Sequence, residues 1–473
     1  MRFGLKTLTL MTALILSLTG CANEPEVSKS VRFENQVGIQ MFMWSWDAIA
    51  TECEFLADAG IDWVLTSPPQ EHISGAQWWT VYQPVSYQVE SRLGSREAFA
   101  SMVATCKENG VSIIADAVIN HMSGQQSGTG YFGTEFTKYE YPGLYTRDDF
   151  HNCNLTPNDQ IDDYKNIGQV QTCELLGLSD LDQKSEKVQA NIVEYLQDLL
   201  SLGVMGFRID AAKHIYEPEL RAIVEQLPEE TRIIQEVYSG GGEPIQPSQY
   251  LQSGDVFSFD YSRTMKSYFK SQVITPAGSA IRFKDFTPSV QSLAFISNHD
   301  TERNGQSLNY KDARDFELAT AMMLAEDYGQ PVLYSSYAFS NYDAGPNELV
   351  DGVVAADCSA ASDKPKTEYA DYEWICQHRW QSTLNMIKFR DAAEGAEVTE
   401  KYRERGVYGF ARDGVGYFIT NVFNKEMPIE VATTLPDGEY TDLIDGGTYQ
   451  VSNGMLKTTL QPKSAIALLV TEN

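Results

Sequence analysis

Four apolar runs in this chain end in charged or amide side chains: Asp116-Ala117-Val118-Ile119-Asn120-His121, Gly206-Phe207-Arg208-Ile209-Asp210, Gln235-Glu236-Val237 and Phe295-Ile296-Ser297-Asn298-His299-Asp300. Paired carboxyl groups suit acid–base or nucleophilic chemistry, one giving a proton and another meeting developing positive charge. Asp210, Glu236 and Asp300 are the candidates. Arg208 stands two residues before Asp210, so on a strand both side chains point the same way. Its fixed positive charge then favours an ionised Asp210. Singly, each acid reads as a solvated loop carboxylate or a strand-end cap. Three at corresponding strand ends read as a site.

Such convergence needs a scaffold that brings strand ends together. Short β-type runs alternate with helical patterns along the chain, the signature of parallel βα units. The expected strands are Val37 to Phe42, Trp63 to Thr66, Val111 to Val118, Gly206 to Asp210, Arg232 to Glu236, Val256 to Asp260, Ser292 to Ser297 and Val332 to Tyr334. Eight of them predict a closed barrel whose strand ends share one face. The helix expected over Ser185 to Leu202 puts Val188, Ile192, Tyr195, Leu196, Leu199 and Leu200 on one face and stops at Gly203. Glu97 to Asn109 ends similarly at Gly110.

Two stretches break the alternation. Residues 121–177, rich in Gly, Tyr, Asp and Asn, are too long for an ordinary βα loop and read as a small inserted domain after strand 3, with Cys153 and Cys173 placed to staple it. From residue 394 to 473, β-type segments such as Val407 to Ala411, Gly416 to Val422 and Ala465 to Val470 predict a C-terminal antiparallel β-sandwich. The catalytic (β/α)8 TIM barrel would then comprise residues 35–120 and 178–393, an α/β fold. Residues 1–20 read as a signal, with Arg2 and Lys6 before an apolar stretch from Leu8 to Leu18. Residues 21–34 follow as a tether. No later apolar run is long enough for a spanning helix.

Seven cysteines, less Cys21 at the end of the signal, leave an even set of six, as an oxidising destination would favour. Their pairing has fifteen possibilities, and no spacing reads as a CxxC metal or redox site. A formal charge of −29, from 36 basic and 65 acidic residues, argues against a nucleic-acid or anionic-lipid partner. A neutral polymer is compatible with it.

In order and content, the four strand-end segments resemble the four signature regions of the α-amylase family, glycoside hydrolase family 13. Gln70-Glu71-His72, Gln77-Trp78-Trp79, Tyr82-Gln83-Pro84-Val85-Ser86-Tyr87, Leu93-Gly94, Tyr141-Pro142-Gly143-Leu144-Tyr145 and Cys376-Gln377-His378-Arg379-Trp380 are similar to its animal and actinobacterial branch. Leu18-Thr19-Gly20-Cys21 resembles a bacterial lipobox, which implies a lipid on Cys21 as the sole membrane attachment, to cell surface or periplasm, or release from the cell.

The resemblance implies endo-acting hydrolysis of α-1,4 bonds in starch, glycogen and maltooligosaccharides by a monomer, with Asp210 as nucleophile, Glu236 as acid/base and Asp300 stabilising the transition state. Glu236 would then need burial or negative neighbours to arrive protonated. It also implies sugar contacts from Gln83, His121, Arg208, Lys213, His214 and His299, and stacking surfaces at Trp78, Trp79 and Tyr82. On an extended segment the two tryptophans would face opposite ways, one of them serving the core. A structural Ca²⁺ would be held by Asn120, Asp180 and the carbonyls of Gln171 and His214. Chloride is doubtful: Arg208 and Asn298 match an anion site, but Val332 stands where the branch places a second base. The alternatives are a transglycosylase of the same family and a surface lipoprotein that binds starch without cutting it.

Overall fold

The computed structural model describes residues 36–271, 286–347, 356–359, 361–404 and 406–470. The expected signal, the lipid-bearing Cys21 and the tether lie outside the described residues. Eight strands form a closed barrel: β1 (Gly38–Met41), β2 (Trp63–Leu65), β3 (Ser112–Ala117), β4 (Gly206–Ile209), β5 (Arg232–Gln235), β6 (Asp255–Phe257), β7 (Ser292–Phe295) and β8 (Gln330–Ser335). Each pairs in parallel with its chain neighbours, and β8 returns to β1 with Val332 opposite Gly38.

The period of two sorts side chains between two cores. Trp63, Leu65, Ile114, Ile234, Leu293, Phe295 and Val332 fill the barrel interior. Val64, Ile113, Phe207, Ile233, Ala294 and Leu333 face outward into the core shared with the helices. This alternation aims the polar strand ends. Asp116 lies two residues after inward Ile114, Arg208 is its partner in register, and Glu236 lies two after inward Ile234. All three therefore point to the barrel axis at its C-terminal mouth. At the opposite end, a Cβ on Gly38 would come within 2.1 Å of the Trp63 ring, so only glycine lets that indole fill the floor.

Strand boundaries depart from expectation at the sixth and seventh positions. The run Val256 to Asp260 is strand only to Phe257. Phe259–Ser271 is helix, so Asp260 sits in a helical first turn. The aromatic residues there favour a strand locally, but Ser258 N donates its last ladder bond to Leu293 O while Ser258 O already accepts from Tyr261 N. Likewise β7 stops at Phe295, because Ser297 and Asn298 lead directly into the helical turn His299–Arg303, capped by the Asn298 side chain.

The helix Glu186–Ser201 buries Val188, Ile192, Tyr195, Leu196 and Leu199, each burial worth roughly 1.5–3 kcal/mol. Leu200, expected on the same face, is half-buried at its edge. Gly203, at φ 99°, ends the segment in a conformation that other residues avoid.

The segment after β3 carries two small antiparallel pairs, His121–Met122 with Ser179–Asp180 and Ser127–Thr129 with Glu135–Thr137, and a Cys153–Cys173 disulfide. Cys53–Cys106 joins the helices Trp46–Asp58 and Arg96–Glu108, and Cys358–Cys376 closes a loop beyond β8. At the C-terminal end, the strands Val398–Glu404, Val407–Arg412, Gly416–Asn421 and Ser464–Leu469 form one antiparallel sheet. Met427–Ala432, Met455–Leu460, Thr448–Ser452 and Gly438–Thr441 form the other. Tyr417, Ile419 and Ile466 of the first sheet pack on Ile429, Val451 and Leu456 of the second, the arrangement of a sandwich. No helix among the described residues is long and apolar enough to cross a membrane.

Candidate active site

The barrel mouth opens into a cleft of about 670 Å³. Arg208 sits beneath it, buried, and one guanidinium meets three carboxylates. Nη1 donates to Asp116 Oδ1 at 2.7 Å and to Asp210 Oδ1 at 2.7 Å, and Nη2 lies 2.8 Å from Glu236 Oε2. The backbone N–H of Ala211 also donates to Glu236 Oε2, at 3.0 Å. Asp300 completes the group from the helical turn after β7, its Oδ2 3.2 Å from His299 Nε2. Side-chain exposure rises from 0% at Asp116 to 10% at Asp210, 16% at Glu236 and 35% at Asp300. A bound molecule can therefore reach the last three and not Asp116.

Asp116, Asp210 and Asp300 do not ionise as ordinary carboxylates do. Burial pushes Asp116 up to about 6 and Asp300 up to about 7, with Arg208 opposing both. Burial also lifts Asp210 well above the usual range; Arg208 pulls it back, and Glu236, Asp116 and Asp300 reinforce the rise. Arg208 thus favours the ionised Asp210, as expected, but the cation is shared three ways, and burial with like charges outweighs it. Arg208 itself loses from burial but is driven still further towards its charged form by Asp116, Glu236 and Asp210.

The histidines carry no charge at neutral pH. Burial takes His121 down to about 4, and burial with Arg208 and Arg303 takes His299 well below its ordinary value. Both are fixed by neutral partners. His121 Nε2 is 3.0 Å from Tyr82 O, and His299 Nδ1 is 3.0 Å from Gln40 Nε2. Tyr82 stacks on His299 at 4.9 Å and donates its hydroxyl to Asp116 Oδ2 at 2.9 Å. Gln83 Oε1 accepts from Ser123 Oγ and Gly124 N, tying the rim to the inserted segment.

Trp78 and Trp79 both line the cleft. As expected, one of them also serves the core: Trp78 is buried in the cluster shared with the barrel helices, while Trp79 is partly buried at its edge. The two lie on the 3₁₀ turn Trp78–Tyr82 and not on an extended segment. On the other side Lys213 pairs with Glu243 and stands 4.9 Å over the Tyr164 ring. Asp116, Tyr164, Glu243, Tyr342 and Asp343 were missed by sequence reasoning. Only Asp116 carried a usable signal, its inward parity with Ile114; the others come from loops without periodicity.

Arg208, Asn120, Gln171 and Asp180 lie off the cleft surface, whereas His214 lines it. Asn120 Nδ2 donates to Asp180 Oδ1 at 3.3 Å, while Asn120 Oδ1 is buried with no hydrogen-bond partner. His214 Nδ1 bonds the carbonyl of Val170, next to Gln171, at 2.9 Å. A buried orphan amide oxygen beside a buried carboxylate fits a hard cation that takes oxygen ligands. Glu52, Cys358 and His378 also cluster, but the Cys358 sulfur is in a disulfide and the Glu52 carboxylate already takes His378 and Arg379.

Residues 44–337 match the family model described as the alpha amylase catalytic domain, and residues 415–463 that of the bacterial alpha amylase C-terminal domain. The chain is 40% identical to an α-amylase of Streptomyces violaceus over 98% of its own length and 78% of that protein. It is 37% identical to one of Thermomonospora curvata, over 97% and 79% respectively. Among solved structures it is similar to a complex of maltohexaose with a glutamate-to-glutamine mutant of α-amylase I from Eisenia fetida. That likeness has a TM-score of 0.85 and 31% identity, covering 94% of this chain and 99% of the other.

Proposed function

This chain belongs to the α-amylase family of glycoside hydrolases and hydrolyses starch, and on that premise we propose that it cuts internal α-1,4 bonds with retention of configuration. Asp210 attacks the anomeric carbon while Glu236 gives its proton to the departing glycosidic oxygen, leaving a glucosyl ester on Asp210. Glu236, now a base, takes a proton from water, whose oxygen displaces Asp210 and restores both acids. Asp300 grips hydroxyls of the same ring. The observation that carries this reading is the pairing of Asp210 and Glu236 with the two terminal nitrogens of one guanidinium. It suits the close carboxylates of a retaining site, about 5 Å apart, better than the wider gap that inversion needs for water.

Charge-free His121 and His299 offer hydrogen bonds to the sugar at the cleavage point, and Lys213, His214 and Gln83 to neighbouring units. Trp78 and Trp79 offer flat faces to C–H surfaces of glucose. The oxygens of Asn120 and Asp180 and the carbonyls of Gln171 and His214 would hold Ca²⁺, which supplies cohesion between barrel and inserted segment and no chemistry. Residues 35–120 with 178–393, 121–177 and 394–473 make the catalytic, inserted and C-terminal domains. Three disulfides support export, and Cys21 would carry the lipid of an otherwise soluble monomer.

NMR of freshly cleaved maltooligosaccharide tests the mechanism: the α anomer should appear first, and initial β product would sink it. Viscosity of a starch solution should fall well ahead of reducing-sugar release if attack is internal.

A further inference from the structure

Both indole nitrogens of the cleft wall are held by one distant pair of residues. Trp78 Nε1 donates to Tyr342 O at 2.9 Å, and Trp79 Nε1 donates to Asp343 Oδ1 at 3.1 Å, each across 264 residues of chain. The Trp78 backbone N–H adds a bond to Asp343 O at 3.3 Å. The Tyr342 ring itself meets Trp78 edge-on, 6.2 Å between centroids, yet remains 51% exposed while lining the cleft. A ring left in water beside two tryptophans has an unspent apolar face.

The loop that presents it is firmly anchored. Asn341 accepts from Asp343 N through Oδ1 and from Ala344 N through its carbonyl. Tyr337 Oη donates to Ala344 O at 2.8 Å, Ser340 Oγ donates to Asp371 Oδ2 at 2.6 Å, and Ala338 exchanges backbone bonds with Tyr372 and Glu373. Gly345 presses so close to Ala76 that a Cβ would fall 2.1 Å from the Ala76 carbonyl oxygen. The match to the catalytic-domain model ends at residue 337, so this brace belongs to a part of the chain outside it.

We infer that Tyr342 forms an added glucosyl-binding position on the glycone arm of the cleft, its ring stacking on the C–H face of one α-1,4-linked glucose. The direction rests on the roles proposed above for Asp210 and Glu236. Glu236 must reach the leaving oxygen, and its carbonyl accepts from Lys213 N, which places the Lys213–Glu243 pair on the leaving-group arm. Trp78 packs instead on His299, with Tyr342 on Trp78 beyond it, leaving them the non-reducing side of the chain.

The test compares Tyr342→Ala and Tyr342→Phe with the parent enzyme on maltotriose and maltoheptaose, with reducing-end-labelled maltopentaose to map the bonds cut. Loss of one stacking contact should lower the ratio of kcat/KM on maltoheptaose to that on maltotriose by about tenfold. It should also move the preferred cut in maltopentaose towards the non-reducing end. Phe should restore both readouts. An equal fall on both substrates would mean that Tyr342 only props Trp78, and unchanged ratios would mean that no sugar reaches it; either overturns the inference. A parent enzyme that releases β product first would instead undo the assignment of the acids, whatever Tyr342 does.

Discussion

Two buried arginines flank the cleft, and they are balanced differently. Arg208 serves Asp116, Asp210 and Glu236, with Asp300 near enough to feel it, so acid exceeds base and the surplus opens to solvent at Asp300. Arg303, three residues after Asp300, pairs with Glu302 at 2.7 Å, and both side chains have 0% exposure. Glu302 Oε1 also takes the hydroxyls of Tyr334 at 2.6 Å and Ser336 at 3.0 Å. The Arg303 guanidinium lies 4.1 Å over Phe339 and 5.2 Å over Trp78. One cluster holds protons it can exchange. The other is electrically closed and supports the wall that Trp78 belongs to.

The largest effect expected from this contrast is at Glu236. Glu236→Gln should lower kcat on soluble starch by about 10⁴-fold, with substrate binding and melting temperature retained. Glu302→Gln should do the reverse, since breaking a sealed pair costs about 3–5 kcal/mol of stability. Denaturant unfolding alongside starch kinetics separates them. If Glu302→Gln destroyed turnover without destabilising the fold, the two clusters would not differ as described.

Asp180, outside both clusters, pairs with no arginine among the described residues. Buried, it is pushed up to about 7 even with His151 Nδ1 at 2.7 Å from its Oδ2, and a cation is the balance proposed for it. Exhaustive EDTA should therefore reduce thermal stability, by about 3 kcal/mol for an ion held at a hundred times its dissociation constant, and activity should fall with it. Stability and rate both unmoved would remove calcium from the account.

A smaller effect concerns pH. Asp210 must lose its proton before it can attack, so kcat/KM rises with pH through its titration, which burial and three acidic neighbours place above the ordinary range while Arg208 opposes them. Asp116→Asn removes one of those neighbours and leaves Arg208 fewer charges to serve. Deprotonation becomes easier, and the acid limb of the kcat/KM profile should move to lower pH. An unmoved or raised limb would mean that Asp116 does not act on Asp210 through charge.

How much of this could be read from the sequence follows from how local each cause is. The alternation of β-type runs with helical patterns announced the barrel, and the two-residue spacing of Arg208 and Asp210 announced their common direction, because both signals are set within a few residues. That Trp78 and Trp79 lie on a 3₁₀ turn and not on an extended segment was not legible, because the turn has no periodic signature and both indoles are held by Tyr342 and Asp343, far along the chain. The shared guanidinium was legible as a neighbour of Asp210 but not as a partner of Asp116 and Glu236. That depends on the stagger between β3, β4 and β5, which no single strand encodes. Of the disulfides, Cys153–Cys173 was legible from its place within the inserted segment, whereas Cys53–Cys106 and Cys358–Cys376 escaped for the same reason.

The smallest expected effect is at the position of a missing base. Val332 lies in the barrel interior among Leu293, Phe295 and Trp63, where an anion would find hydrocarbon instead of a second cation. Asn298 is also committed elsewhere: its Oδ1 accepts from Thr301 N at 2.9 Å and from Thr301 Oγ1 at 2.8 Å. The positive charge of Arg208 is already divided among carboxylates, so a chloride would have to displace one of them and bear its own desolvation without a matching partner. Starch hydrolysis by enzyme dialysed free of halide should thus change less than about twofold on adding chloride, the screening expected of salt at exposed charges. A large, saturable increase specific to halide would show that Arg208 can still hold an anion, and would make its cluster a balanced one after all.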